Sequence, residues 1–205
     1  MRILATGMGW VGITPGGLNR YFADYTAALQ QHGIEVRALV AADGKRMDSP
    51  IYIQDATNFL QKYDAYHRAV AFREQVQELF TKCQIDIYNP HFSLFSWLLA
   101  RKLIPHEVPI VTHFHGPWAL EVSVEEKAKN AAWKVAFKKQ IRKFVEKQTY
   151  QRSDAIIVLS QYFKNILMDN YGIHEDRIHI VPGAVDTKRF TPAADRVDKR
   201  AGAGV

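Results

Sequence analysis

Arg2-Ile3-Leu4-Ala5-Thr6-Gly7-Met8-Gly9-Trp10-Val11-Gly12-Ile13-Thr14-Pro15-Gly16-Gly17-Leu18-Asn19-Arg20-Tyr21 is the stretch from which the fold is read. Arg2–Thr6 is apolar enough for a buried strand. The glycines that follow forbid a helix, and a helical pattern then runs from Leu18 to His32, with Gly33 placed to cap it. Tyr21, Tyr25, Ala28 and Leu29 share one face of that helix. Strand, glycine loop and helix in this order open a parallel α/β sheet. Gly7, Gly9 and Gly12 also interrupt the apolar run that a signal peptide needs, and no cleavage site follows.

Outward from this unit the alternation continues. Strands are expected at Ile34–Val40, Ile51–Ile53, Ile85–Tyr88, Val108–Thr112, Ala155–Leu159 and Ile178–Val181. Helices are expected at Asp64–Lys82, Ser93–Leu103, 121–151 and Tyr162–Asn170. Short, continuously apolar strands between helices belong in a Rossmann-like, doubly wound parallel sheet covered on both faces. The 205 residues fit one domain, read as 1–192, with 193–205 a linker into an absent second domain or a tail. A hydrophobic fraction of 47% excludes bulk disorder. The single cysteine, Cys83, excludes an internal disulfide framework, reads as a buried helix-end thiol and suits a reducing cytosol. No run reaches the roughly eighteen apolar residues of a spanning helix.

In an open parallel sheet, ligands bind beyond the carboxyl ends of the strands. The chemically suggestive residues fall there: Gly7–Gly17, Asn89-Pro90-His91, His113–Trp118, Ser160 and Pro182–Asp186. Gly7-x-Gly9-x-x-Gly12 matches the dinucleotide fingerprint, but the helix starts too late to meet a pyrophosphate at those glycines, and Asp43 lies too far on for the ribose-binding acid. Gly16 and Gly17, immediately before the helix, suit a diphosphate facing free backbone N–H groups; the rival reading is a turn that needs glycine for its dihedral angles alone. His113 and His115 are expected on opposite sides of the extended chain, so that only one faces a pocket. With no cysteine or acid beside them they are not read as metal ligands. A neutral imidazole that bonds a substrate hydroxyl or acts as general base is the functional reading, and a backbone-bonded histidine the bland one. Trp118 offers its face either to a sugar ring or to the core.

The net charge of +6 is concentrated in one segment. Residues 127–147 carry eight Lys/Arg against Glu146, a local +7 that leaves the remainder at −1. Trp133, Phe137, Ile141, Phe144 and Val145 form one stripe of this helix, expected to dock on the domain's own core. Lys134, Lys138, Lys139, Arg142 and Lys143 lie off it. A solvated charged face is the plain reading, and a peripheral, electrostatic contact with an anionic membrane the sharper one. No nucleic-acid reading module accompanies the charge, so nucleic acid is not an expected partner.

Together these residues resemble the N-terminal, acceptor-side domain of family 4 retaining glycosyltransferases of the GT-B type. The likeness rests on the Pro15-Gly16-Gly17 loop and the imidazole loop after a strand. It rests further on Glu146…Tyr150…Ser153-Asp154-Ala155-Ile156-Ile157-Val158-Leu159-Ser160, Tyr171-Gly172-Ile173, and Ile180-Val181-Pro182-Gly183-Ala184-Val185-Asp186…Phe190-Thr191-Pro192. Gly183 marks a departure, since many members carry Asn before that glycine. The resemblance implies two Rossmann-like domains across a cleft, the absent one holding the nucleotide and a pair of glutamates. It implies a nucleotide-diphosphate sugar as donor, a hydroxyl acceptor, and no cofactor or metal, because helix N-termini and cations offset the diphosphate charge. Gly16 and Gly17 would meet the donor diphosphate, and His115 would act at the transfer centre. Asn19, His91 and Trp118 would face the acceptor, and Ser160, Gly183 and Asp186 would line the hinge and cleft. A stand-alone carbohydrate- or lipid-binding subunit and an NAD(P)-dependent oxidoreductase are the rival readings. A cytoplasmic location, peripheral to a membrane at most, completes the expectation.

Overall fold

The computed structural model describes residues 1–57, 65–99, 103–120, 131–184 and 187. Among these residues seven strands and five α-helices alternate, except that β3 follows β2 directly: β1 Arg2–Thr6, α1 Gly17–Gln31, β2 Glu35–Val40, β3 Ile53–Asp55, α2 Ala65–Lys82, β4 Ile87–Pro90, α3 Ser93–Ser96, β5 Val111–Phe114, α4 Ala132–Arg152, β6 Ala155–Val158, α5 Gln161–Tyr171 and β7 Ile178–Ile180. A 3-10 turn, Glu175–Arg177, which the sequence reading did not anticipate, precedes β7.

Every strand pairing is parallel. One sheet has the order β3-β2-β1-β4 and the other β5-β6-β7. They meet through a parallel bridge between Tyr88 and Ile110, reinforced by Tyr88 N–H donating to Pro109 O at 3.0 Å. The chain runs outward from β1 through β2 to β3, then returns to β4 on the other side of β1. Strand order therefore reverses between β1 and β4, where a doubly wound sheet leaves a crevice for ligand. Leu4, Leu39, Phe72, Tyr88, Leu99 and Ile110 pack in one core and Phe114, Ile156, Val158, Leu167 and Tyr171 in another. Each such side chain contributes about 1.5–3 kcal/mol.

The expected elements are present with shifted ends. The strand expected at Val108–Thr112 starts at Val111, because Pro109 has no N–H for the ladder. The strand expected at Ile85–Tyr88 runs instead from Ile87 to Pro90: Ile85 is apolar because it is buried, without being paired. The short strand at Ile51–Ile53 moves to Ile53–Asp55. The helix expected over Ser93–Leu103 is one turn, Ser93–Ser96, where Ser96 Oγ donates back to Phe92 O at 3.2 Å, a bond that competes with helix continuation. The helix expected over 121–151 is seen as Ala132–Arg152, and 121–130 lie outside the described residues. Residues 188–205, with the 193–205 tail, lie outside them as well.

The largest correction concerns α4. Trp133, Phe137, Ile141 and Phe144 are 68%, 62%, 49% and 57% exposed. The helix docks instead through Val145, the one buried member of the expected stripe and at its edge, and through Glu146, Thr149 and Tyr150 of its last turns, on the side away from it. A helical period reveals that a stripe exists but not which side the fold covers, and here the covered side is the more polar one.

Candidate functional site

The glycines after β1 divide into two kinds. A Cβ on Gly7 would stand 2.8 Å from the Phe22 ring, and one on Gly9 would stand 3.2 Å from Asn19 Nδ2. Both glycines let the loop close onto α1. The fingerprint thus has a packing cause, and the oxidoreductase reading loses its chief support. A Cβ on Gly16 or Gly17 would meet nothing within 4 Å. Gly16 is extended, at φ 161° and ψ 155°, a conformation open to any residue, and no side chain caps the amino end of α1. Neither packing nor backbone geometry calls for glycine at these two positions. What they leave is open space in front of the unpaired N–H groups of a 15-residue helix.

One turn into α1, Tyr21 and Tyr25 face three imidazoles. His91 follows β4, His113 belongs to β5, and His115 follows it. Tyr21 and His115 rings meet edge to face at 4.8 Å, Tyr25 and His113 at 4.7 Å. His91 and His113 stack with centroids 4.0 Å apart and planes 10° apart. His113 and His115 lie on the same side, 5.9 Å apart. The expectation that only one would face a pocket fails, because residues two apart on a strand share a face.

The hydrogen bonds define the tautomers. Asn89 Nδ2 donates to Val111 O, so its Oδ1 is left to accept from His91 Nε2–H at 3.0 Å. His91 Nδ1 then carries a lone pair and accepts from His115 Nε2–H at 3.2 Å. His115 keeps Nδ1 as an open acceptor. His113 Nδ1 lies 3.3 Å from Tyr21 Oη, and its Nε2 is buried without a partner among the described residues. Burial, with the neighbouring imidazoles adding to it, lowers His91 well below the usual histidine pKa; His113 falls to about 3, by burial and then His115. Burial alone takes His115 to about 4. The cluster is neutral at physiological pH.

The three histidines bring one ligand atom each within 4.8 Å of one another. A ligand nitrogen holds a metal in its own ring plane, however, and the stacked, nearly parallel planes of His91 and His113 cannot both contain one ion. The arrangement serves hydrogen bonding better than chelation.

Behind the cluster, α4 braces the loop that carries His115. Glu146, fully buried, accepts from Trp118 N–H at 2.9 Å, Ala119 N–H at 3.1 Å, Tyr171 Oη at 2.6 Å and Tyr150 Oη at 3.3 Å. Burial pushes its pKa up, while these donors pull it down. Asp154 Oδ2 accepts from Ile110 N–H at 2.7 Å, and Ser153 Oγ bonds Thr112 Oγ1 at 2.6 Å. Arg177 bonds the carbonyls of Tyr150, Gln151 and Ser153 at the carboxyl end of α4, where the helix dipole favours a cation. The late acidic and serine-bearing motif is thus the joint that locks α4 to β5 and β6.

The structure brings Asn19, His91 and His115 together with the glycine loop but does not present them equally. Asn19 is buried, donates to Thr14 O at 2.7 Å and leaves its Oδ1 unpartnered. His91 is buried with both nitrogens engaged, so it reaches a ligand only through His115. Trp118 is half-buried, with one face under the Arg142 guanidinium at 4.9 Å. Ser160 caps α5, accepting from Phe163 N–H at 3.4 Å. Gly183 is exposed, and Asp186 lies outside the described residues. Sequence reasoning missed Tyr21 and Tyr25 as site residues, although their spacing of four behind the glycine loop was the available signal. It also left Asn89 and Glu146 without roles. A cavity of about 430 Å³ lined by Cys83, Ile85, Pro105 and Val108 lies at the amino ends of β4 and β5, the wrong end of the sheet for this chemistry.

The profile of Glycosyltransferase Family 4 matches residues 15–189. A D-inositol 3-phosphate glycosyltransferase of Xylanimonas cellulosilytica is 27% identical over 195 residues, covering 86% of this chain and 44% of that protein. One of Kineococcus radiotolerans is 24% identical over 208 residues, covering 93% and 45%. The chain thus spans less than half the length of these curated relatives. Sucrose-phosphate synthase from Thermosynechococcus elongatus superposes with a TM-score of 0.70 at 16% identity, covering 95% of this chain and 51% of that one. The shared architecture is one half of the GT-B fold. From its matched span and its fold, the chain belongs to Glycosyltransferase Family 4.

Proposed function

We propose that this chain is the acceptor-side half of a hexosyltransferase that moves a sugar from a nucleotide-diphosphate donor to an acceptor hydroxyl with retention of configuration. The observation that carries the reading is the uncovered amino end of α1, fronted by Gly16 and Gly17, one helical turn from Tyr21 and the neutral His115. Backbone N–H groups and the helix dipole there offset diphosphate charge without a metal ion. His115, its Nε2–H spent on His91, offers Nδ1 to a hydroxyl of the acceptor or of the donor sugar. Asn19 and His91 position this machinery from beneath, and the open side of Trp118 receives the acceptor's apolar face. Ser160, Gly183 and Asp186 belong to the hinge side of the cleft. The acceptor is a glycan, a lipid-linked sugar or a small molecule. Basic α4 turns this cytoplasmic, membrane-peripheral enzyme toward anionic lipid.

The nucleotide's base and ribose contacts belong to the other half of the protein. This 205-residue chain alone is therefore expected to turn over no donor and to bind nucleotide sugars weakly. Calorimetric titration with a panel of nucleotide sugars tests this. A dissociation constant below about 1 μM, roughly −8 kcal/mol, would overturn the division of labour. In the complete enzyme, the anomeric configuration of the product, read by NMR, tests retention.

A further inference from the structure

Among the described residues, α4 is the only helix that exposes a continuous aromatic stripe along most of its length. At about 100° per residue, Trp133, Phe137, Ile141 and Phe144 fall within an arc of roughly 80°. Of the buried residues of this helix, Glu146, Thr149 and Tyr150 lie on the other side and Val145 at the stripe's edge. Lys134, Lys138 and Lys147 are exposed beside the stripe and Lys139 on the far side, and Lys134 Nζ sits 5.6 Å from the centre of the Trp133 ring. The one acid of α4, Glu146, is buried, so every exposed charge on the helix is positive.

We infer that α4 inserts the Trp133–Phe144 stripe into the acyl boundary of an anionic bilayer, with its lysines reaching the headgroups. This inference rests on the reading that α4 meets anionic lipid, and changes the mode of contact from electrostatic adsorption to apolar insertion. The chemistry favours a bilayer over a protein partner. Protein interfaces are depleted in lysine at their cores, whereas a bilayer boundary accepts an aromatic stripe edged by lysines, whose stems lie along apolar surface while their ammonium groups stay wet. Interfacial helices of this kind sit about 5–10 Å into the headgroup region. The same helix carries Glu146, which holds the Trp118–Ala119 backbone, and Arg142, which covers Trp118. Insertion would therefore present the acceptor loop at a defined attitude to the membrane surface.

Co-sedimentation of the full chain with phosphatidylcholine vesicles, alone or mixed three to one with phosphatidylglycerol, tests the inference, with brominated lipid as a quencher of Trp133. Two variants are compared. One changes Phe137, Ile141 and Phe144 to Ser and keeps Trp133 as reporter; the other changes Lys134 and Lys147 to Gln. Circular dichroism checks that each folds, as expected for exposed sites. Insertion predicts quenching that disappears in a Trp133→Phe control. It predicts binding to mixed vesicles that partly survives 1 M salt, where the Debye length is about 3 Å. The serine variant should lose at least about tenfold in binding, and the glutamine variant about fivefold per lysine engaged. Salt-abolished binding with Trp133 unquenched would overturn insertion and leave the electrostatic reading standing. No sedimentation with either vesicle would overturn both. So would concentration-dependent dimers, seen by sedimentation velocity and lost in the serine variant without any vesicle binding.

Discussion

Two regions of this molecule invert the usual rule of apolar inside and polar outside, and they do so in opposite senses. At the ends of β4 and β5, three imidazoles and two phenols are packed together, His91 and His113 buried and Tyr21, Tyr25 and His115 half-buried. On α4, four large apolar side chains face outward while a glutamate is fully buried beneath. Scattered exposed apolar residues need no explanation, but a buried polar cluster and a contiguous apolar stripe both do. The histidine cluster is held by internal hydrogen bonds, so its protonation and orientation are fixed before any ligand arrives. Among the described residues the α4 stripe has no internal partner of that kind, and the bilayer contact inferred above would cover it. Glu146 belongs to both regions, as it is carried by α4 and bonded to the His115 loop.

The sharpest way to break this contrast is at His115. In the complete enzyme, His115→Ala should lower turnover by about 10²–10⁴, while the isolated chain stays folded and loses about 1–3 kcal/mol for the buried His91 Nδ1 left without its donor. An enzyme that keeps most of its turnover would return His115 to a purely structural role and make His113 the next residue to test. Glu146 should show the converse. Glu146→Ala strands four donors in the interior and should cost about 3 kcal/mol in urea unfolding. A cost below about 1 kcal/mol would show that the brace is not what holds the loop.

The neutral cluster also makes a pH prediction. His91, His113 and His115 titrate far below the 6.5 of an unfolded histidine, so below that pH the unfolded state binds more protons. The stability they contribute is fully present above about pH 6.5 and is lost as pH falls toward the folded values. Between pH 6.5 and 5.5 the three together should lose about 3 kcal/mol, and His115→Gln should remove about a third of that slope. Equal slopes in the two proteins would mean that His115 titrates in the fold as it does in the unfolded chain.

These outcomes bear on what the sequence could disclose. Element order and parallel pairing were legible because strands such as Ala155–Val158 and Glu35–Val40 are short apolar runs between helices. That the loops bearing His91 and His115 meet the glycine loop at one sheet edge followed from strand-end position, but that His113 joins His115 on the same side did not, because the two were expected on opposite sides. The side on which α4 is covered was not legible, because periodicity is blind to what packs where; only the coordinates place Glu146 inside and Trp133 outside. The tautomer chain through Asn89 was equally hidden, since it depends on one side-chain amide reaching across to Val111 O.

The smallest expected effect separates the two glycine pairs, and it is the finest test of where ligand chemistry begins. Gly7→Ala forces a methyl to 2.8 Å from the Phe22 ring, which is buried beneath α1 and has no room to withdraw, so it should cost about 1–3 kcal/mol in urea unfolding. Gly17→Ala meets nothing within 4 Å and stands at the first position of α1, where alanine is the better helix former. Its effect on stability should stay within about 0.5 kcal/mol, on the side of a slight gain. If the space before α1 is the seat of a diphosphate, however, the same methyl should raise the Michaelis constant for donor in the complete enzyme by about tenfold, roughly 1.4 kcal/mol of lost contact. A Gly17→Ala enzyme that binds donor as the parent does would leave that open space without a ligand and move the diphosphate elsewhere in the cleft.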